Sequence, residues 1–183
     1  MRTFLTVLMI AAMAVTAFAG GNPNVQGYVS FDEFGRVHDA MPAPYTTINA
    51  YICFGNLDMG LTSASFRVND VMVDCPGSFA PPSFTNLLDL AIGDYLGGIT
   101  VSATECKPGP DVAVGYVSLF YLGGECCVQI LPHPDYPGWV TDCNSPAEVD
   151  FYTYIADGSV GGALCMVNPV EDSSWGGIKA MYR

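Results

Sequence analysis

Apolar and polar residues alternate along most of this chain, and glycine or proline interrupts the alternation at short intervals. Residues 48–54, 64–68 and 99–103 carry an apolar side chain at every second position, and residues 25–31 repeat the pattern. Because successive side chains of a strand point to opposite faces of a sheet, these segments predict half-buried antiparallel strands.

Other segments carry different strand patterns. Residues 112–122 are apolar almost throughout, which predicts a central strand covered on both faces. Residues 84–96 fit a short helix or a strand, and we favour the strand because residues 88–92 also alternate. Four more short strands are predicted at residues 126–131, 139–143, 149–155 and 162–167.

The turn signals indicate how these strands are arranged. Pro-Gly, Gly-Gly and Asp-Gly pairs recur at intervals of roughly 8–20 residues, a spacing typical of two-sheet sandwiches. No long segment has the period of 3.6 residues that a βαβ unit would require. The sequence therefore predicts an all-β fold, a two-sheet antiparallel β-sandwich.

The first 19 residues have the three parts of a secretory signal peptide. Arg2 precedes an apolar run at residues 4–15, and Ala17-Phe18-Ala19 forms a small-x-small cleavage site. The run is too short for a transmembrane anchor, which needs about 20 apolar residues. We expect a signal peptide at 1–19, a β-sandwich domain at 20–168 and a tail at 169–183, in a protein that is secreted or held at the cell surface.

The charge balance excludes one class of partner. The chain has 6 basic and 18 acidic residues, for a net charge of −12. Such a surface repels a phosphate backbone, so we expect no binding to nucleic acid. No apolar stretch after the leader approaches spanning length, so we also expect no membrane span once the signal peptide is cleaved.

Seven cysteines in the exported part predict a disulfide framework, because secretion leads into an oxidising compartment. Up to three bridges can form, and the sequence leaves their pairing open. Cys126 and Cys127 are adjacent, so on a strand they would face opposite sides and have different partners. One thiol is left over, and our candidate is one of these two. The framework is drawn from Cys53, Cys75, Cys106, Cys126, Cys127, Cys143 and Cys165.

No motif indicates a reaction. The Gly-x-Ser-x-Gly signature and both glycine-rich nucleotide signatures are absent. His38 and His133 stand in loop-like contexts, where a histidine ordinarily has no catalytic role. A zinc site is disfavoured because the chain has no Cys-x-x-Cys pair. We therefore expect a protein without enzymatic activity, catalytic residues or a bound cofactor.

Acidic residues near turns leave calcium open as a ligand. Asp58, Asp70, Asp111 and Asp157 lie in or near predicted turns, where a carboxylate ordinarily accepts hydrogen bonds from local backbone N–H groups. Two or three of them could gather calcium, although the chain has no Asp-x-Asp-x-Asp-Gly loop.

Four tyrosines form a candidate binding face. Tyr28, Tyr51, Tyr152 and Tyr154 fall opposite the apolar side of their strands, and the last two are two residues apart. Tyrosine gives a large contact area at low entropic cost, so this face could stack on sugar rings or on another protein. The alternative is that the same rings pack against the second sheet.

The C-terminal segment differs from the body of the chain. Trp175, Ile178, Lys179 and Tyr182 define a candidate attachment or sorting tail. The alternative is that Trp175 packs onto the sandwich, as a single large aromatic residue usually does.

Four stretches carry a family resemblance. The tail at residues 175–183, together with residues 51–54, 60–68 and 105–110, resembles uncharacterised secreted bacterial proteins and cohesin-like sandwiches. The resemblance implies an exported immunoglobulin-like or cohesin-like β-sandwich. It implies no catalytic residue, and nothing in the chain resembles a dockerin or a duplicated calcium loop.

Two functions remain open at this point. The first is a non-enzymatic secreted or cell-surface structural or adhesion protein that associates with itself or with an extracellular partner. Strand edges, the spare cysteine or the tail would mediate that association. The second is a carbohydrate-binding module that uses the tyrosine face. We favour the first.

Overall fold

The structure is a computed structural model that describes residues 21–33 and 36–165. The predicted signal peptide and the four residues of the candidate tail lie outside the described residues. One short helix, α1 (Val71–Asp74), follows the fourth strand. The strands are β1 (Gln26–Ser30), β2 (Asp39–Ala40), β3 (Thr46–Gly55), β4 (Leu61–Val68), β5 (Ser83–Asn86), β6 (Leu90–Asp94), β7 (Gly98–Lys107), β8 (Asp111–Tyr121), β9 (Cys126–Val128), β10 (Ile130–Pro132), β11 (Trp139–Thr141), β12 (Val149–Phe151), β13 (Thr153–Ala156) and β14 (Gly158–Val160).

The strands form two large sheets and one small one. Sheet 1 has the order β13-β1-β3-β8-β5, and sheet 2 has the order β12-β11-β4-β7-β6 with β10 also paired to β4. The small sheet has the order β2-β14-β9. Strand pairs are antiparallel except β1 with β13 and β2 with β14, which are parallel. The predicted all-β sandwich is confirmed, with these two parallel pairings in addition.

The core lies between sheets 1 and 2, where the apolar sides of the alternating strands meet. Phe66 on β4 is fully buried, and its ring centroid lies 6.1 Å from that of Phe54 and 6.2 Å from that of Phe84. These three rings join β3 and β5 of sheet 1 to β4 of sheet 2. The inward faces predicted for residues 48–54 and 64–68 are therefore confirmed.

The prediction that residues 112–122 form a strand covered on both faces needs correction, because β8 contains a bulge. Its register against β3 shifts between Ile52 and Cys53, which lie opposite Gly115 and Ala113, so Val114 is an extra residue. A bulge of this kind moves the inward-facing positions from one parity to the other. The residues on both sides of the alternation are therefore apolar because the inward-facing positions change along the strand. The outer face is not fully covered, since Phe120 on that face is 40% exposed.

Four other strand predictions also need correction. The strands predicted at residues 126–131 and 149–155 each divide between two sheets, into β9 and β10 and into β12 and β13. Residues 84–96 are extended, as we favoured, but they divide between β5 in sheet 1 and β6 in sheet 2. The strand predicted at residues 162–167 is wrong over its described part, and the strand lies earlier, at β14. Gly161 and Gly162 end β14 because they have φ angles of 69° and 86°, which glycine adopts without strain.

Three disulfides connect Cys75 with Cys126, Cys106 with Cys143, and Cys127 with Cys165. The adjacent cysteines have different partners, as the geometry of a strand predicts. The expectation that one of them is the spare thiol is wrong, because the free cysteine is Cys53. Cys53 is buried with Tyr28 and Ala156 in a small cluster apart from the main core.

Candidate functional site

The four tyrosines do not form one exposed face. Tyr28 is buried beside Cys53, and the ring of Tyr51 lies 5.4 Å from that of Tyr116 on the same outer side of sheet 1. Tyr152 and Tyr154 instead pack against the main core, as the alternative interpretation had it. The predicted binding face is therefore wrong.

Gly27 explains why Tyr152 turns inward. The Tyr152 ring lies over Gly27, and a Cβ atom at that position would be 2.8 Å from Tyr152 Cδ2. The same ring packs edge-on against Phe54, with 5.0 Å between centroids. A glycine on the apolar side of β1 was the signal in the sequence that a large ring fills this space.

Tyr28 belongs to a polar cluster that fastens β1 to β8. Its hydroxyl donates a 2.8 Å hydrogen bond to Asp111 Oδ1, and Arg36 forms a 2.8 Å ion pair with the same oxygen. The Arg36 guanidinium also lies 5.2 Å from the centre of the Tyr28 ring. Burial and the bond to Asp111 raise the pKa of Tyr28 well above its usual range, so the hydroxyl stays protonated.

Both histidines are bound to the backbone. His38 Nδ1 lies 2.7 Å from the carbonyl oxygen of Val29, and its ring packs edge-on against Tyr28. His133 is buried, and its Nδ1 atom accepts hydrogen bonds from the N–H groups of Asp135 and Tyr136. Through these contacts each histidine ring holds the local backbone in place.

Three of the four acidic candidates for calcium have separate local roles. Asp70 accepts a hydrogen bond from Met72 N at the start of α1, and Asp157 is buried and accepts one from Gln129. Asp111 binds Tyr28 and Arg36 as described, while Asp58 is exposed. Within the described residues one group of three possible metal ligands occurs, Cys127, Asp157 and Cys165, and its two cysteines are joined in a disulfide.

A concave surface on the outer face of sheet 2 is the strongest candidate for a binding site. It encloses about 340 Å³ and is called the trough below. The residues that line the trough are Ser63, Ser65, Ile92, Thr100, Tyr136, Trp139 and Thr141.

Four hydroxyl groups from three neighbouring strands form the floor of the trough. Ser63 on β4 donates a 2.8 Å hydrogen bond to Thr141 on β11. Ser65 on β4 lies 2.9 Å from the hydroxyl oxygen of Thr100 on β7. Each pair uses one hydroxyl hydrogen, so the second hydrogen and the remaining lone pairs are available to a ligand.

Large apolar side chains stand on both sides of this floor. Ile92 on the edge strand β6 is 64% exposed, and Trp139 on β11 is 38% exposed. The rings of Tyr136 and Trp139 lie 5.1 Å apart and are inclined by 48°. The trough therefore combines apolar walls with a polar, uncharged floor, the pattern of a small-molecule site.

His133 places Tyr136 at the trough. By accepting the N–H groups of residues 135 and 136, its Nδ1 atom fixes the turn that carries Tyr136. The His133 ring also lies 5.1 Å from the Tyr136 ring. No pattern in the sequence indicates this site, because Tyr136 lies in a turn and Trp139 begins a strand of three residues, where no periodicity can be recognised.

Comparisons with known proteins give a likeness of fold. No protein-family model matches the chain, and no curated protein matches its sequence. Among solved structures it is similar to CaCohA2 of Clostridium acetobutylicum in a complex with CaDoc0917, with 12% identity, a TM-score of 0.49, and coverage of 75% of this chain and 98% of that one.

Two structures from Acetivibrio cellulolyticus are also similar. One is the sixth cohesin of scaffoldin B in complex with a Cel5 dockerin mutant, with 10% identity, a TM-score of 0.48, and coverage of 75% of this chain and 97% of that one. The other is a type II cohesin domain from the cellulosome, with 11% identity, a TM-score of 0.47, and coverage of 76% and 96%. At these scores the likeness carries no argument about a ligand or a partner.

Proposed function

We propose that this chain is a non-enzymatic structural or adhesion protein of the cell exterior that binds a surface partner at the trough. The exposure of Ile92, Tyr136 and Trp139 around a hydroxyl-lined cavity carries the proposal. Apolar side chains in the core stabilise the fold, whereas exposed ones that surround a cavity can stabilise a complex.

The chemistry of the described residues supports a role without catalysis. Burial raises the pKa of the Cys53 thiol to about 12, and the thiolate is the nucleophilic form of cysteine. His38 and His133 are both engaged with the backbone. Three disulfides fit an oxidising compartment, which supports export and an extracellular or cell-surface location.

Self-association is a second candidate, and the edge strand β6 favours it. All five residues of β6 are exposed, including Leu90 and Ile92, and an exposed edge can pair with another chain. Buried Cys53 does not support a disulfide between molecules. A net charge of −12 opposes association by mutual repulsion.

Binding to cells tests the proposal. The disulfide-bonded mature chain, labelled with a fluorophore, is incubated with intact cells of the organism that produces it. We expect Trp139→Ala to abolish most of the binding. Phe120→Ala is a matched control, because Phe120 is 40% exposed on the outer face of the other sheet. Equal binding by Trp139→Ala and the unaltered chain would contradict the proposal.

Sedimentation velocity separates the two candidates. A chain that stays monomeric at high concentration, in low and moderate salt, favours a separate surface partner. A dimer that strengthens with salt and is lost in Ile92→Glu would favour association through β6, since salt screens the repulsion between acidic chains.

A further inference from the structure

We infer that the occupant of the trough is a short neutral saccharide. This inference rests on the proposed function and specifies the chemistry of the partner. A pyranose ring has apolar C–H faces and a rim of hydroxyl groups. The trough offers a matching surface for each, since apolar side chains form its walls and paired hydroxyls form its floor.

The aromatic wall suits the apolar face of a sugar. The rings of Tyr136 and Trp139 are inclined by 48°, so one ring can lie along a pyranose face while the other contacts its edge. Both rings carry a polar group, which lets them remain exposed to water when the site is empty. Ile92 closes the opposite side of the trough from β6.

The floor suits the hydroxyl rim. Ser63 with Thr141, and Ser65 with Thr100, form two hydroxyl pairs at 2.8 and 2.9 Å. Because each pair keeps one hydrogen and several lone pairs, the floor can both donate to and accept from sugar hydroxyls. The pairs hold the side chains in place before a ligand arrives, which lowers the entropic cost of binding.

The charges of the trough lining and of the whole chain favour a neutral sugar over an acidic one. No residue of the described trough lining is charged, and the whole chain has a net charge of −12. Uronic acids, sialic acids and sulfated sugars would meet repulsion without a cation in the lining to offset it. Neutral hexoses and pentoses meet none.

The size of the trough favours a short saccharide over a protein partner. Its volume of about 340 Å³ lies near the lower end of ligand pockets, which enclose roughly 300–1,000 Å³. A stable protein interface buries about 800 Å² on each partner and has few serines at its centre. Four of the seven residues that line this surface carry hydroxyl groups on short side chains, and two of them are serines.

Calorimetric titration of the disulfide-bonded mature chain tests the inference. The probes are neutral oligosaccharides of glucose, xylose, mannose and galactose, with uronic acid and sulfated oligosaccharides for comparison. We expect at least one neutral probe to bind, and Trp139→Ala and Tyr136→Ala to weaken it about tenfold or more. Phe120→Ala should bind as the unaltered chain does, and chelation of divalent cations should have no effect.

Ser65→Ala combined with Thr100→Val tests the floor, since it removes one hydroxyl pair and leaves the aromatic wall. We expect it to weaken the same probe while the melting temperature shows a folded chain. Binding of acidic probes alone would overturn the inference. Binding of every probe that is unchanged in Trp139→Ala would also overturn it.

Treated cells distinguish failure of the inference from failure of the proposed function. Periodate cleaves vicinal diols of sugars, whereas protease removes surface proteins. We expect periodate to abolish the Trp139-dependent binding and protease to leave most of it. Trp139-dependent binding that only protease removes would contradict a saccharide as the occupant of the trough and would agree with the proposed function. Absence of binding to both cells and saccharides would overturn both.

Discussion

The backbone N–H of Gly21 donates a 2.9 Å hydrogen bond to Oδ2 of Asp142, a carboxylate that is fully buried. Asn144 donates to both oxygens of the same group, and the N–H of Glu148 donates to Oδ1. The neighbouring residue Asn22 is also buried, and its N–H donates to Asp150. Asp142 and Asp150, which lie far from β1 in sequence, thus anchor the chain segment that precedes β1.

Asp142→Asn should destabilise the protein by about 3 kcal/mol or more, because hydrogen bonds to a charged acceptor contribute about 1.5–3 kcal/mol each. The amide would retain one acceptor oxygen and present N–H groups to backbone donors. Urea unfolding measures the loss. Asp58→Asn is the control, since Asp58 is an exposed acid in a turn. A loss equal to that of the control would show that the four contacts do not act as an anchor.

Removal of the Cys106–Cys143 bridge should cost roughly 3–4 kcal/mol, the chain-entropy value for a loop of this length. The bridge spans 37 residues and joins β7 to the segment after β11. The double replacement by serine is compared with Cys53→Ala, which leaves all three bridges intact. Melting temperatures with and without reductant measure the effect. If reduction leaves the melting temperature unchanged, the disulfide framework does not stabilise the fold.

Local periodicity was sufficient for the sandwich but not for the trough. The inward side of β3 and β4 follows from alternation within each strand, because the core takes every second residue. The pairing of Ser63 with Thr141 joins residues 78 positions apart, and no local pattern encodes it. The same holds for the disulfide map, since the pairing of a cysteine depends on which strands become neighbours.

The tyrosine face failed for a related reason. Alternation identifies the core side of a strand only where one side is clearly more apolar. At residues 149–155 both sides carry large apolar or aromatic side chains, so it does not tell which side meets the core. Tyr152 and Tyr154 share a side, and that side packs against the main core. Tyr28 and Tyr51 take the other side of sheet 1, where Tyr28 is covered by Cys53 and Ala156.

Phe66→Ala should cost about 3–5 kcal/mol, because it empties a fully buried site between Phe54 and Phe84. Phe120→Ala removes a ring of the same size from the outer face of β8 and should cost less than about 1 kcal/mol. Chemical denaturation of both variants gives the comparison. The reverse order of these losses would mean that the inward faces are assigned wrongly.

The protein should lose stability as pH rises above about 9. Burial raises the pKa of Cys53 from 9.0 to about 12, and burial also raises the pKa of Tyr28 and Tyr152 above the usual tyrosine range. Each group is neutral when protonated, and the unfolded chain releases these protons at lower pH than the folded chain does. The contribution of these groups to the free energy of unfolding is therefore complete below about pH 9 and falls between about pH 9 and 12.

Cys53→Ala tests this pH dependence. We expect it to reduce the difference in unfolding free energy between neutral and alkaline pH, because one of the three groups no longer titrates. Tyr152→Phe should act in the same direction, while Tyr45→Phe, at an exposed site, should leave the difference unchanged. The difference between two pH values is the measured quantity, so a uniform loss of stability from the cavity at residue 53 does not affect it. Identical pH profiles for Cys53→Ala and the unaltered chain, together with alkylation of Cys53 in the folded protein at neutral pH, would show that its thiol is accessible to solvent.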